Sequence, residues 1–225
     1  MLSAEAVRLA AIEVLRPTTA VEAGSGFPTL AGLMVLDTRD IALEELDPEA
    51  AYTPVLALYT MASDAALRGE MAAAGDTAAT AVLEIVAELA VDVGNGPVDA
   101  MVASDPEARL VLAALCAQAR YLLEFSQSGL LWRRIVKRVI RLEEETFAAP
   151  QLGVRWQRTT MRYHVEIADD DFDMAGGGLP QPIRRLYEAL PDQSYAKAKL
   201  AALANHFTAE VLPHLDGGTA NWPDE

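Results

Sequence analysis

Four aspartates stand within five residues, at Asp169, Asp170, Asp171 and Asp173. Oxygen ligands that dense suit a hard cation such as calcium. A helix–loop–helix calcium site needs oxygens at alternate positions, glycine at the sixth and glutamate at the twelfth. Counted from Asp169, the sixth position is Met174 and the twelfth is Pro180. The stretch from 169 to 178 therefore reads as a solvated acidic linker that ends in Gly176, Gly177 and Gly178. The histidines are His164, His206 and His214, and none has a second ligand at metal spacing, so no metal site is expected. The glycines at 24–26 and 176–178 lack the strand–G-x-G-x-x-G–helix setting and the Walker lysine. No serine sits in G-x-S-x-G. No cofactor and no catalytic residue is expected. An enzyme with residues dispersed along the chain is the alternative that motif spacing does not detect.

The remaining chemistry is charge. In "GLLWRRIVKRVIRLEEET", residues 129–146, Arg133, Arg134, Lys137, Arg138 and Arg141 fall within ten residues, and Glu143, Glu144 and Glu145 follow. The whole chain carries only 18 Lys and Arg against 33 Asp and Glu, a formal charge of -15. Read as a helix, Arg134, Lys137, Arg138 and Arg141 share one face, with Leu131, Ile135 and Val139 on the other. A solvated face whose stems lie over the core is the bland account. Nucleic-acid readers add stacked aromatics or a recognisable module, and Trp132 alone supplies neither. The field of a chain at -15 also opposes nonspecific nucleic-acid binding. The run is expected to meet the acidic surface of a neighbouring subunit. Its partner is expected at "EELDPE", 44–49, or near Glu70 and Asp76.

The elements that must position this run follow from periodicity. Residues 3–15 read as an apolar-striped helix ended by Pro17, and 33–37 and 53–61 read as strands. Residues 62–76 show no period and read as an insertion loop. Residues 80–93 alternate, with Ala81, Leu83, Ile85, Ala87, Leu89, Val91 and Val93 on one face and Thr80, Glu84, Glu88 and Asp92 on the other: a half-buried strand. Residues 104–125 read as the central buried helix, opened by a Ser104–Glu107 capping box and burying Leu112, Leu115, Cys116, Ala119 and Leu122. A shorter helix over 129–139 passes into a strand, and 153–169 form another strand with a bulge near 157–160. Two helices, 182–190 and 194–211, close the chain.

The expected fold class is α+β: a mostly antiparallel sheet with helices packed on it, plus a C-terminal helical appendage. The division is 1–168, a linker at 169–178, and an appendage at 179–225. Hydrophobic residues make up 52% of the chain, enough for a core, and the single cysteine, Cys116, reads as part of it. The N-terminus carries Glu5 and Glu13 and lacks the basic-then-apolar pattern of a secretory leader. No uncharged apolar window reaches membrane-spanning length, so no membrane contact is expected.

The order of the elements resembles that of the tail terminator (tail completion) proteins of long-tailed bacteriophages and gene transfer agents. The stretches that carry the resemblance are "SAEAVRLAAIEVLRP", "LMVLD", "TPVLALYT", "TAVLEIVAELAVDV", the helix from Asp105 and "MRYHVEI", within residues 1–168. The resemblance implies a non-enzymatic virion component, assembled in the host cytoplasm and placed at the head–tail junction. It implies a homohexameric ring that caps the tail tube. Its partners would be itself, the tail tube protein and a head–tail connector or stopper protein, with no sequence-specific nucleic acid. The subunit interface would include Arg133, Arg134, Lys137, Arg138 and Arg141. The segment after residue 178 exceeds the compact form of that family, which keeps a head–tail connector or minor tail protein as alternatives.

Overall fold

The first helix has almost no solvent side. In α1 (Leu2–Leu15), eleven of fourteen residues are buried in the computed structural model of the chain. The structure describes residues 1–39, 52–67, 77–91, 99–100, 106–149, 156–172 and 178–207. Alanine at positions 4, 6, 10 and 11 keeps α1 slim and strongly helical, so other elements approach it from several directions. It packs on β2 (Thr53–Leu67) and β3 (Thr77–Val91), and on three helices: α4 (Leu130–Arg133), α5 (Ile183–Ala189) and α6 (Tyr195–Ala204). A short α2 (Thr18–Ala23) follows it.

The sheet runs β1-β2-β3-β6-β5, where β1 is Val35–Asp37, β5 is Val136–Ala149 and β6 is Trp156–Ile167. β1 lies parallel to β2, the other neighbours are antiparallel, and a two-residue β4 (Asp99–Ala100) pairs with β3. The fold is α+β with a mostly antiparallel sheet. Leu83, Ile85 and Leu89 of β3 and Met161, Tyr163, Val165 and Ile167 of β6 face α1 and α3 (Pro106–Arg120) in one core. A smaller cluster of Leu36, Val55, Ala57, Val86 and Ala90 occupies part of the opposite sheet face. Among the described residues, no helix is long and apolar enough to cross a membrane.

Several sequence expectations are corrected. The central helix is α1, not α3. The α3 face that includes Leu112, Leu115, Cys116 and Ala119 is buried as expected, but Leu110 on the other side is 71% exposed. Residues 62–67 belong to β2 and are not loop. There Met61–Ala66 of β2 are exposed while their β3 partners include the core residues Ala79 and Ala81, so backbone pairing extends β2 without an apolar alternation of its own. The bulge expected near 157–160 is absent, since β6 pairs in continuous register there, and the irregularities lie in β5. Ser104 of the expected capping box lies outside the described residues, as do the acidic segment 44–49, Glu70, Asp76 and residues 208–225.

Residues beyond the sheet are tied to α1 by polar contacts as well as by packing. Both carboxylate oxygens of Asp170 accept from the first amides of α1, Leu2 N at 2.8 Å and Ser3 N at 2.7 Å. These are orphan donors of a helix start, satisfied here from 168 and 167 residues away. At the other end of α1, the buried Glu13 carboxylate accepts from Thr18 N and Oγ1, each at 2.9 Å, and from Ser194 Oγ at 2.8 Å. One carboxylate thereby joins the starts of α2 and α6 to α1, with its charge satisfied by three donors. Ile183, Leu186, Leu190, Ala196 and Leu200 enter the same core as α1.

Leu115→Ala should cost about 2–5 kcal/mol in a reversible denaturant titration, because Leu115 is fully buried beneath the sheet. Asp170→Ala should cost roughly 0.5–2 kcal/mol, the range for losing an N-terminal helix cap. Native-state hydrogen exchange should speed up at Leu2 and Ser3 in that variant before it does so in β6.

Candidate subunit interface at the β5 edge

Among the described residues, β5 is the last strand of the sheet and pairs with β6 alone. Val136, Val139 and Leu142 stand opposite Ile167, Val165 and Tyr163, the inward residues of β6. A strand with inward residues every third position is irregular, and two register shifts account for it. One lies between Val136 and Arg138, the other between Val139 and Arg141. Each extra residue, Lys137 and then Ile140, is left without a partner on β6. The apolar period of three that reads as helix over 129–139 is therefore produced by bulges, and the true helix, α4, ends at Arg133. Bulges and charges at a sheet edge also hinder pairing with another chain's strand.

The five cations expected to form one helical face are divided by this geometry. Arg133 turns inward and donates to Leu123 O at 2.8 Å and Ser126 O at 2.7 Å. It closes the π-helical turn Tyr121–Phe125 that extends α3. Gly129 makes this approach feasible: a Cβ there would collide with the Leu122 and Leu123 carbonyls and the Arg133 guanidinium. Arg138 pairs with Glu166 of β6 at 2.9 Å, and Arg141 pairs with Glu143. Arg134 and Lys137 are exposed and, among the described residues, make no side-chain hydrogen bond or ion pair.

Arg138 and Arg141 join a ladder of charges on the sheet face opposite the main core. Arg162 of β6 bridges Glu84 of β3 at 2.7 Å and Glu145 of β5 at 3.1 Å. His164 meets Glu143 at 2.8 Å. Solvent screens exposed pairs of this kind, and they are too weak to account for the fold. They fix the lateral register of β3, β6 and β5, and they leave Arg134 and Lys137 as the uncompensated part of the run. The His164 hydrogen bond, helped by nearby Arg141, holds the Glu143 carboxyl below its ordinary range.

Beside the two uncompensated cations lies a cleft of about 240 Å³ between the π-helical turn and β5. Glu124, Phe125, Trp132, Lys137 and Arg138 line it, and the Glu124 carboxylate is paired with Arg120. The Trp132 indole is buried against Tyr163, edge to face at 5.7 Å between ring centres. The Trp132 Nε1–H has no hydrogen-bond partner among the described residues. Burial, reinforced by the Glu124 carboxylate, raises the Tyr163 phenol far above its ordinary range. Around the cleft, Tyr121, Phe125, Leu130 and Ile140 expose large apolar side chains. Sequence patterning missed this cleft because it depends on the π turn and the bulges.

A second polar cluster, also unforeseen, lies at the end of β1. Asp37 accepts from Tyr195 Oη at 2.9 Å and Thr38 Oγ1 at 2.8 Å, and it pairs with Arg8. Thr38 holds a left-handed backbone, φ 55°, which is unusual for a β-branched residue. Cys116 is buried, and that burial pushes its thiol up to about 12, which leaves it a poor nucleophile. Among the described residues, no three His, Cys, Asp or Glu side chains gather as a metal site. No protein family matches the chain, and its sequence is similar to no curated protein.

The Glu143 shift has a definite sign. Its folded value lies below the unfolded one, so the interaction favours the fold above the unfolded value and is lost as pH falls through the folded one. Carboxyl NMR should give Glu143 a midpoint below the ordinary glutamate range in the native protein. In His164→Ala the midpoint should rise toward that range.

Proposed function

We propose that this chain is a structural subunit of a phage-type tail, one that forms a ring, terminates the tail tube and joins it to the head connector. One observation carries the reading most directly. At the end of α4 and the start of the edge strand β5, on a chain at -15, Arg134 and Lys137 are exposed and uncompensated among the described residues while the neighbouring arginines are taken within the subunit. Cations left open on so acidic a chain are suited to an acidic protein surface, and repetition around a closed ring adds up small contributions that each pair lacks alone. The α+β architecture, with helices on one sheet face and a charged opposite face, agrees with the subunit type that the order of elements resembles.

An enzyme with dispersed residues is the second reading. It draws on the Asp37 cluster, where a strained Thr38 adjoins a carboxylate held by Arg8 and Tyr195.

Native mass spectrometry should give a closed assembly of on the order of six copies of the 24.2 kDa chain. Arg134→Glu combined with Lys137→Glu should abolish rings, or their seating on tail tubes, while circular dichroism shows a folded monomer. Normal assembly by that variant, together with loss of a salt-sensitive DNA complex formed by the wild type, would make the run a nucleic-acid site. A monomer whose small-molecule turnover disappears in Asp37→Asn would favour the enzyme.

A further inference from the structure

We infer that the cleft between the π-helical turn and β5 is a docking site for an acidic peptide segment of a second copy of this chain, residues 41–50. This rests on the subunit reading above and names the contact through which copies join. Three independent features converge on the cleft. Lys137 in its wall and Arg134 beside it on the chain have no partner. The buried Trp132 Nε1–H has no acceptor, although buried donors of this kind are almost always satisfied. Phe125 in its wall is 64% exposed, and Tyr121, four residues earlier on the same turn, is 60% exposed. An aromatic wall, unpaired cations and a buried donor make a composition typical of interface hot spots. They call for an occupant that brings carboxylates and apolar side chains together. A volume of about 240 Å³ suits one or two inserted side chains and falls short of the usual small-molecule pocket.

Local chemistry selects the occupant. Net charge repels a second copy at -15 as it repels a nucleic acid, whereas open cations beside an exposed aromatic suit a segment that carries carboxylates and leucines together. The acidic runs are not equivalent. Within Glu143–Glu145, Glu143 and Glu145 are held in the ladder. Within Asp169–Asp171, Asp170 caps α1. The run "IALEELDPEA", 41–50, places Glu44, Glu45, Asp47 and Glu49 among Ile41, Leu43 and Leu46, with no Lys or Arg. A leucine against Phe125 with a glutamate reaching Lys137 and the Trp132 N–H would satisfy all three features at once.

The test uses the full-length chain with the photoreactive residue p-benzoylphenylalanine in place of Phe125, and separately in place of Ile140. Irradiation should give covalent dimers or larger species whose linked peptide, identified by mass spectrometry, falls within residues 41–51. Adding Arg134→Glu and Lys137→Glu should lower the yield at least tenfold. An excess of synthetic peptide 41–51 should compete, and it should compete less well as salt rises. Links to another part of the chain, links to nucleic acid, or no link from either position would overturn the inference. Links to 41–51 in a species that neither closes into rings nor terminates tubes would leave the docking site standing and remove the tail reading. Ring-terminated tubes with both probes linked elsewhere would do the reverse.

Discussion

The burial of α1 is the constraint on which the rest of the molecule depends. A helix with eleven of fourteen residues out of solvent cannot be stabilised by one partner; it needs cover on most of its circumference. The sheet supplies one side, and α4, α5 and α6 supply others. This arrangement makes the C-terminal helices part of the same core as the N-terminal one. It also explains why polar groups gather at the two ends of α1. Helix ends carry unsatisfied amides and carbonyls, and in a buried helix they must be met by protein. Asp170 meets the first end, while the Glu13 carboxylate gathers two other helix starts at the second.

With one sheet face taken up by that core, most of the interactions of the opposite face near β5 are electrostatic. Arg162 spans three strands, and the pairs beside it repeat the same solution. Such a ladder adds little stability and uses up most of the local charge. The two bulges of β5 serve the same end: they turn Arg138 and Arg141 to the charged face while Val136, Val139 and Leu142 stay in contact with the core. Against that background, the unpaired Arg134 and Lys137 and the bare aromatics beside them mark a surface that the subunit leaves incomplete.

Some of this is legible in the residues alone and some is not. The alternation around Leu83, Glu84 and Ile85 specifies β3 and both of its faces, because period two has one structural meaning. The apolar stripe Leu112, Leu115, Cys116 and Ala119 likewise specifies the inner face of α3. The order Val136, Val139, Leu142 misleads, since a bulge every third residue imitates helical spacing. Arg133 looks equivalent to Arg134 in sequence, and only the carbonyls of the π turn separate them. The hydrogen bonds of Asp170 and Ser194 to α1 join residues more than 160 positions apart, and no local pattern encodes them. The cleft beside Phe125 escapes for the same reason: its walls come from two elements whose irregularities fit each other.

The capping of α1 by Asp170 also sets an order of events in synthesis. The helix is synthesised 167 residues before its amide cap Asp170 and 181 residues before the Ser194 partner of Glu13. A fourteen-residue helix is marginal in water without tertiary cover. The alanine-rich helix α1 therefore waits, apolar and uncapped, until Asp170 and Ser194 have been translated. Folding is then dominated by contacts of long sequence separation, which places it toward the slow end for its size. During that interval the nascent α1 segment is a natural client for a chaperone that holds exposed apolar segments.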